Sequence, residues 1–426
     1  MKDELHRAID AVWRIESAKI VASVTRIVRD VALAEELAQD ALIAALEHWP
    51  VDGMPEKPGA WLMTTARHRA LDWLRQDALH RARQEELGAD ADARGDHVEP
   101  DFSDALDGTD HIEDDLLRLI FTACHPVLPR EAQLALTLKV VAGLSTAEIA
   151  RAFLTPESTI AQRIVRAKRS LSAARVPFEV PRGEALSQRL ASVLSVIYLI
   201  FNEGYAASAG DDWMRPILCE EALRLARTLS ALMPKDSEVL GLLALLEIQA
   251  SRTAARIDAD GQPVLLLDQN RSRWDRLLIH RGLTALEAAR LCRIEPGPYE
   301  LQAAIAACHA RARTPDDTNW RQIVMHYDEL ARLTQSPVVL LNRAVAVGMA
   351  ECPQAALELV DGLASEPALQ RYHLLGTVRG DLLFKLSRFE ETALEFERAA
   401  ALTQNTRERQ ILLERADAAK RKQNAQ

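Results

Sequence analysis

At 426 residues the chain is longer than one ordinary core accommodates, so two or three domains are expected. Hydrophobic residues make up 48% and charged residues 27%, aromatics only 5%, and β-branched runs are few; helix is expected nearly everywhere. The net charge of −10 excludes a uniformly basic surface but not local ones. Between Glu85 and Asp115 thirteen acidic residues face one basic residue, Arg94, whereas Arg163, Arg166, Lys168, Arg169 and Arg175 crowd one stretch. Arg67, Arg69, Arg75, Arg81 and Arg83 crowd another, giving two basic faces suited to phosphate.

Five scattered cysteines, Cys124, Cys219, Cys292, Cys308 and Cys352, form no C-x-x-C pair and suit neither a disulfide framework nor a zinc site. Met1 to Glu16 lacks the apolar core of a signal peptide, and no apolar stretch approaches the roughly 20 residues of a membrane span. Leu190 to Phe201 reads as a buried helix, and a cytoplasmic chain is expected. Neither a phosphate loop nor a metal-ligand cluster nor a nucleotide fingerprint appears, so no cofactor and no metal are expected. Cys124-His125 and Cys308-His309 are neighbours whose side chains diverge by about 100° on a helix. They make no nucleophile–base couple, and the chain reads as a non-enzyme.

In chain order, residues 1–83 read as a helical bundle. Ile20, Val24, Ile27, Val28 and Val31, then Leu37, Ala41, Leu42, Ala45 and Leu46, recur at helical spacing. The Pro- and Gly-rich stretch His48 to Gly59 reads as a loop, and helix resumes at Ala60. Residues 84–111 read as an acidic linker. Residues 112–176 form a second helical module. Within it Ser145 or Thr146 caps a short helix with Glu148 closing the capping box, and Pro156 opens a second helix after a turn. Ile149, Ala150 and Phe153 are expected to pack on Ile160, Ile164 and Val165, the pattern of a helix-turn-helix. Ser158, Thr159, Gln162, Arg163 and Arg166 share the opposite face, where Gln and Arg can read base edges and Ser and Thr suit phosphate.

Two stretches of the first module carry a more specific signal. Ala34-Glu35-Glu36-Leu37-Ala38-Gln39-Asp40-Ala41-Leu42 precedes Trp61-Leu62-Met63-Thr64-Thr65-Ala66-Arg67-His68-Arg69-Ala70-Leu71-Asp72-Trp73-Leu74-Arg75. They resemble region two of RNA polymerase sigma factors. Joined to a C-terminal helix-turn-helix, they make the chain up to about residue 176 similar to the extracytoplasmic-function sigma factors. The resemblance implies an all-α fold, core RNA polymerase (its β′ clamp helices and β flap) and promoter DNA as partners, and no membrane. It assigns Glu36, Gln39 and Asp40 to polymerase, and Asp52, Lys57, Trp61, Arg67, Arg69 and Arg75 to the −10 element. Ser158, Thr159, Gln162, Arg163 and Arg166 fall to the −35 element. Structural roles compete at three of these positions, with Trp61 and Trp73 as core residues and Asp72 and Arg75 as an intrahelical pair. His68 stands where most members have Asn, and the loop before Trp61 is longer than usual.

Residues 177–426 read as helix after helix, with a loose period of roughly 34–37 residues toward the end that suggests tetratricopeptide-like repeats. Gly380, Leu383, Phe396 and Ala399 give the clearest unit. Asp268 to Asp275, Gly297 to Ile305 and Ser336 to Ala344 resemble the sigma-factor group with such an extension, whose genes neighbour those of small DGPF (YCII-related) proteins. Such a protein is an expected partner, and the extension is expected to regulate activity in cis. The rival expectation is a helix-turn-helix regulator or repeat scaffold that never touches polymerase. The first module argues against it, because such a regulator has no use for Gln39-Asp40 and the Trp61–Arg75 helix.

Overall fold

The computed structural model describes residues 2–88, 112–153, 155–207, 209–210, 213–258, 262–292 and 295–424. Among them eighteen α-helices carry the fold, and two-residue strands at Ala209–Gly210 and Gln404–Asn405 pair in parallel. The chain divides into two compact units, Met1–Val196 and Ile197–Gln426.

The first unit begins with α1 (Lys2–Val28), α2 (Val31–Asp52) and α3 (Pro58–Gly88), which pack on one another. Asp30 starts α2: its carboxylate accepts from the N–H groups of Ala32 and Leu33, satisfying two orphan donors. Ile20, Val24, Leu37, Ala41, Ala45, Leu62, Ala66 and Ala70 are buried, the helical stripes expected from the spacing. One expectation fails here. Helix α2 continues through Pro50 to Asp52, so the loop is Gly53 to Lys57. A proline in the last turn forfeits a single backbone donation, while Gly53, at φ +86, closes the helix by donating to the Trp49 carbonyl. The longer helix buries Trp49, 2% exposed, edge-on against Trp61 at 5.4 Å. At its far end α3 extends to Gly88, five residues into the stretch read as linker; residues 89–111 lie outside the described residues.

The same unit continues with α4 (Ile112–Ala123), α5 (Arg130–Val140), α6 (Thr146–Ala152) and α7 (Glu157–Ala173). The capping box forms as read: Ser145 N–H donates to Glu148 Oε2 at 2.8 Å and Glu148 N–H to Ser145 Oγ at 3.1 Å. Ile149 and Ala150 are buried, as are Ile160, Ile164, Ala167 and Leu171 of α7. Val165 is 46% exposed rather than packed, because Ala167 and Leu171 complete the stripe one position off it.

Next comes α8 (Glu184–Tyr205), 22 residues and apolar enough by length and composition to cross a membrane, longer than the apolar run alone implies. Leu190, Val193, Leu194, Val196, Ile197, Ile200 and Phe201 are buried, as the sequence reading expects. Ser192 donates to the Cys124 carbonyl at 3.0 Å, so the first turns of α8 belong to the first unit.

The second unit holds α9 (Pro216–Leu232), α10 (Ser237–Ala250), α11 (Arg276–Cys292), α12 (Pro298–Arg311), α13 (Trp320–Thr334) and α14 (Pro337–Ala350). It ends with α15 (Pro353–Leu363), α16 (His373–Lys385), α17 (Phe389–Leu402) and α18 (Thr406–Gln423). From α12 onward each helix packs on its sequence neighbours, the nearest-neighbour logic of helical repeats. Gly380 is there for close approach, since a Cβ would meet the Phe396 ring at 2.7 Å. Gly204 has the same role and is no C-cap: it lies inside α8, where a Cβ would stand 2.6 Å from the Cys219 backbone nitrogen.

The stretch Asp268 to Asp275 turns inward. Arg271 and Trp274 are buried, and Arg271 donates to the carbonyls of His309 and Ala312 and to Thr318 Oγ1. This guanidinium caps the C-terminal end of α12. Asn270, rather than Asp268, is the capping residue of the short turn that follows it. Pro298 starts α12 as expected, but the stretch it opens is largely buried, Glu300 and Leu301 included.

Candidate nucleic-acid interface

Helix α2 carries Glu36, Gln39 and Asp40 at the i, i+3, i+4 spacing of one helix face. Glu36 and Gln39 are exposed, and Gln39 Nε2 donates back to Glu35 Oε1 at 3.0 Å. Asp40 pairs with Arg69 of α3 at 3.3 Å, which joins the two residue sets read from the sequence. Arg75 is exposed and pairs with Asp72 at 3.2 Å, the intrahelical pair expected at i, i+3. Asp52 and Lys57 bracket the Gly53–Lys57 loop and are exposed, while Trp61 lies half-buried under Trp49. This packing holds the start of α3 against the end of α2, beside the open loop. Trp49 was missed in the sequence because its stretch reads as loop.

Arg67 departs from its expected place. It is buried, its Nε donates to Ser23 Oγ of α1 at 2.9 Å, and burial lowers its pKa, with Arg26 adding to the shift and Asp115 opposing it. At this site the side chain ties α3 to α1 rather than facing outward. Arg67→Ala is expected to destabilise the first unit by about 1–3 kcal/mol. A thermal melt reads that loss, and the salt dependence of DNA binding should be unmoved, since no phosphate contact disappears.

On α7, Ser158, Gln162 and Arg166 are exposed, and Thr159 and Arg163 are partly so. Arg163 is held by Glu131 of α5 at 2.9 Å, which aims the guanidinium along the outer face. Lys168, expected at the solvated end of the helix, is instead largely covered and ion-paired with Glu35 of α2. Asp115 of α4, 1% exposed, pairs with Arg26 of α1 at 3.0 Å and with Arg118 at 2.6 Å. Neither of these cross-module pairs is visible in sequence spacing.

Elsewhere, burial pushes the Cys124 thiol up to about 12, and its Sγ lies 3.3 Å from Thr137 Oγ1. Burial, with Arg252 and Arg271 nearby, lowers His309 to about 4. Among the described residues no group of three His, Cys, Asp or Glu side chains is placed to hold a metal ion.

Residues 16–79 match Sigma-70 region 2 and residues 118–171 match Sigma-70, region 4. Residues 189–290 match a family of unknown function, DUF6596. An uncharacterised protein of Rhizobium meliloti (strain 1021) is 46% identical over 389 residues, covering 91% of this chain and 90% of that protein. The probable ECF RNA polymerase sigma factor SigI of Mycobacterium tuberculosis is 27% identical over 177 residues, 41% of this chain and 58% of SigI. No solved structure matches the chain.

Proposed function

The chain belongs to the extracytoplasmic-function sigma factors and carries a C-terminal helical extension, and from that premise we propose that it recruits core RNA polymerase to specific promoters. Glu36, Gln39 and Asp40 on α2 meet the β′ clamp helices, and the second module meets the β flap. The Gly53–Lys57 loop with Asp52 and Lys57, together with Trp61, Arg69 and Arg75, receives the opened −10 strand. Unstacked bases need a stacking platform and cations, and this corner supplies both. Ser158, Thr159, Gln162, Arg163 and Arg166 read the −35 element from the major groove.

One observation supports this most. The same chain presents an outward α7 face of Ser158, Gln162 and Arg166 and an exposed Glu36–Gln39 face on α2. A bidentate Arg–guanine contact is worth about 1–3 kcal/mol, so Arg163→Ala should weaken promoter binding roughly 5- to 150-fold. Binding to bound promoters, measured against sequence-scrambled duplexes, checks it: selectivity at the −35 element should fall while non-specific affinity changes little. Equal losses on both duplexes would make Arg163 a phosphate contact only.

The extension acts in cis on these modules, and its consecutive helix pairs serve as a tetratricopeptide-like platform. A small DGPF-type protein is its candidate ligand, to be tested by co-purification with the full chain. The chain works in the cytoplasm, where polymerase is, and carries out no catalysis of its own.

A further inference from the structure

Glu35 is the residue that the polymerase-binding reading leaves unexplained. It lies on α2 immediately before Glu36, yet it is only 6% exposed. Two lysines of the second module bury it: Lys139 of α5 at 3.5 Å and Lys168 of α7, the helix proposed to read DNA. A carboxylate taken out of water is tolerated only where cations and donors replace the solvent, and both lysines and Gln39 do so here. The contact is part of a broader seam. Arg14 of α1 reaches Glu148, the capping-box residue of α6, at 2.9 Å. Gly143, at φ +73, presses against α1 so closely that a Cβ would meet Ser17 Oγ at 2.9 Å. Asp115 and Arg26 close the same seam from α4.

Magnitudes decide what this seam does. The −10 and −35 elements, about 25 base pairs apart by name, are separated by roughly 85 Å of B-form duplex. Along α7, Lys168 is ten residues from Ser158, about 15 Å; along α2, Glu35 is fourteen residues from Trp49, about 21 Å. Adding the width of the ion pair between them, the clasped modules span on the order of 50 Å at most. They cannot occupy both elements while joined. The 23 residues between Gly88 and Ile112 reach about 80 Å when extended, so chain length permits separation.

We propose that Lys139 and Lys168 clasp Glu35 to hold the free chain in a closed, promoter-incompetent form that opens when core polymerase engages α2. The inference rests on the reading of α2 as the polymerase-binding helix. Closure puts the second module within one helical turn of Glu36, Gln39 and Asp40, so an approaching polymerase helix competes with it. Opening frees α7 at the same moment, which couples polymerase binding to −35 recognition without any additional protein. The two events then become one switch, with both modules unavailable to DNA until polymerase is present.

The test uses the full chain with donor and acceptor dyes at Glu47→Cys and Ser170→Cys, both exposed positions, and with the exposed Cys292→Ser and Cys352→Ser. Energy transfer should be high in the free chain and fall when core polymerase is added. Lys139→Glu with Lys168→Glu should lower transfer without polymerase, and adding Glu35→Lys should restore it by re-forming the pairs with reversed signs. If the closed chain is open a tenth of the time, the double reversal should tighten core binding about tenfold. Unchanged transfer in the double reversal, or no recovery in the triple variant, overturns the clasp. A chain that opens on charge reversal yet never binds core polymerase leaves the clasp standing and overturns the polymerase reading instead.

Discussion

Trp49→Ala should destabilise the first unit by about 3–5 kcal/mol, the cost of emptying a buried indole site. Trp49 is 2% exposed and packs edge-on against Trp61, so the cavity would open where α2 hands over to the loop. The consequence is both structural and functional: Trp61 and the loop residues Asp52 and Lys57 lose their support. Chemical denaturation reads the first effect, and promoter opening, followed by permanganate reactivity of unpaired thymines, reads the second. Trp49→Phe should cost far less, because a ring remains and the Trp49 Nε1 has no hydrogen-bond partner to lose. If Trp49→Phe proved as damaging as Trp49→Ala, the packing account of this corner would be wrong.

Phe396→Ala should cost about 3–5 kcal/mol in the second unit. The ring is 1% exposed, lies against Gly380, and carries the Arg415 guanidinium 4.4 Å from its centroid. It anchors a cluster with Ala399, Ala400, Leu412 and Ala416, which joins α17 to α18. Because each helix here packs on its neighbours, the loss should stay local. Hydrogen exchange should accelerate in α16, α17 and α18 and remain unchanged in α1 to α3. Global acceleration would mean that the extension is one cooperative core rather than a stack of pairs.

The parts of this molecule that were legible in sequence are those written in local chemistry. Ser145 and Glu148 announce their capping box three residues apart, and Ile160 and Ile164 announce a buried stripe on α7. Gly380 and Phe396 could be paired because a repeat period places them together. The misreadings fall where a local rule meets a tertiary one. Pro50 signals a break, yet a proline in the last turn loses little, and burial of Trp49 favours continuing the helix. Gly204 reads as a helix end, but the backbone of Cys219 approaches so closely that only glycine fits inside α8. Arg67 sits in a basic run that suggests phosphate, while its partner Ser23 is 44 residues away on another helix. The Lys168–Glu35 pair joins residues 133 positions apart, and no periodicity encodes such a contact. Arg271 and Trp274 read as polar surface because their partners on and after α12 come nearly forty residues later.

The same distinction orders the proposed site. Helix faces such as Glu36–Gln39 and Ser158–Gln162–Arg166 follow from spacing alone. Which neighbouring charges are free to meet a partner depends on tertiary pairing: Asp40 is joined to Arg69, Arg163 to Glu131 and Arg75 to Asp72. Exposed pairs of this kind contribute roughly 0–1 kcal/mol each, so exchanging them for phosphate or polymerase contacts costs little. Glu35, buried under two lysines, is the exception, and a switch needs such an exception.

The measurement that bears most directly on the account is transcription in vitro from a genomic promoter pool, with core RNA polymerase and the full chain as the only initiation factor. The account predicts transcripts that begin at discrete promoters and fall sharply with Arg163→Ala. A full chain that binds those promoters without polymerase, and never starts a transcript with it, would contradict the account and favour a conventional helix-turn-helix regulator.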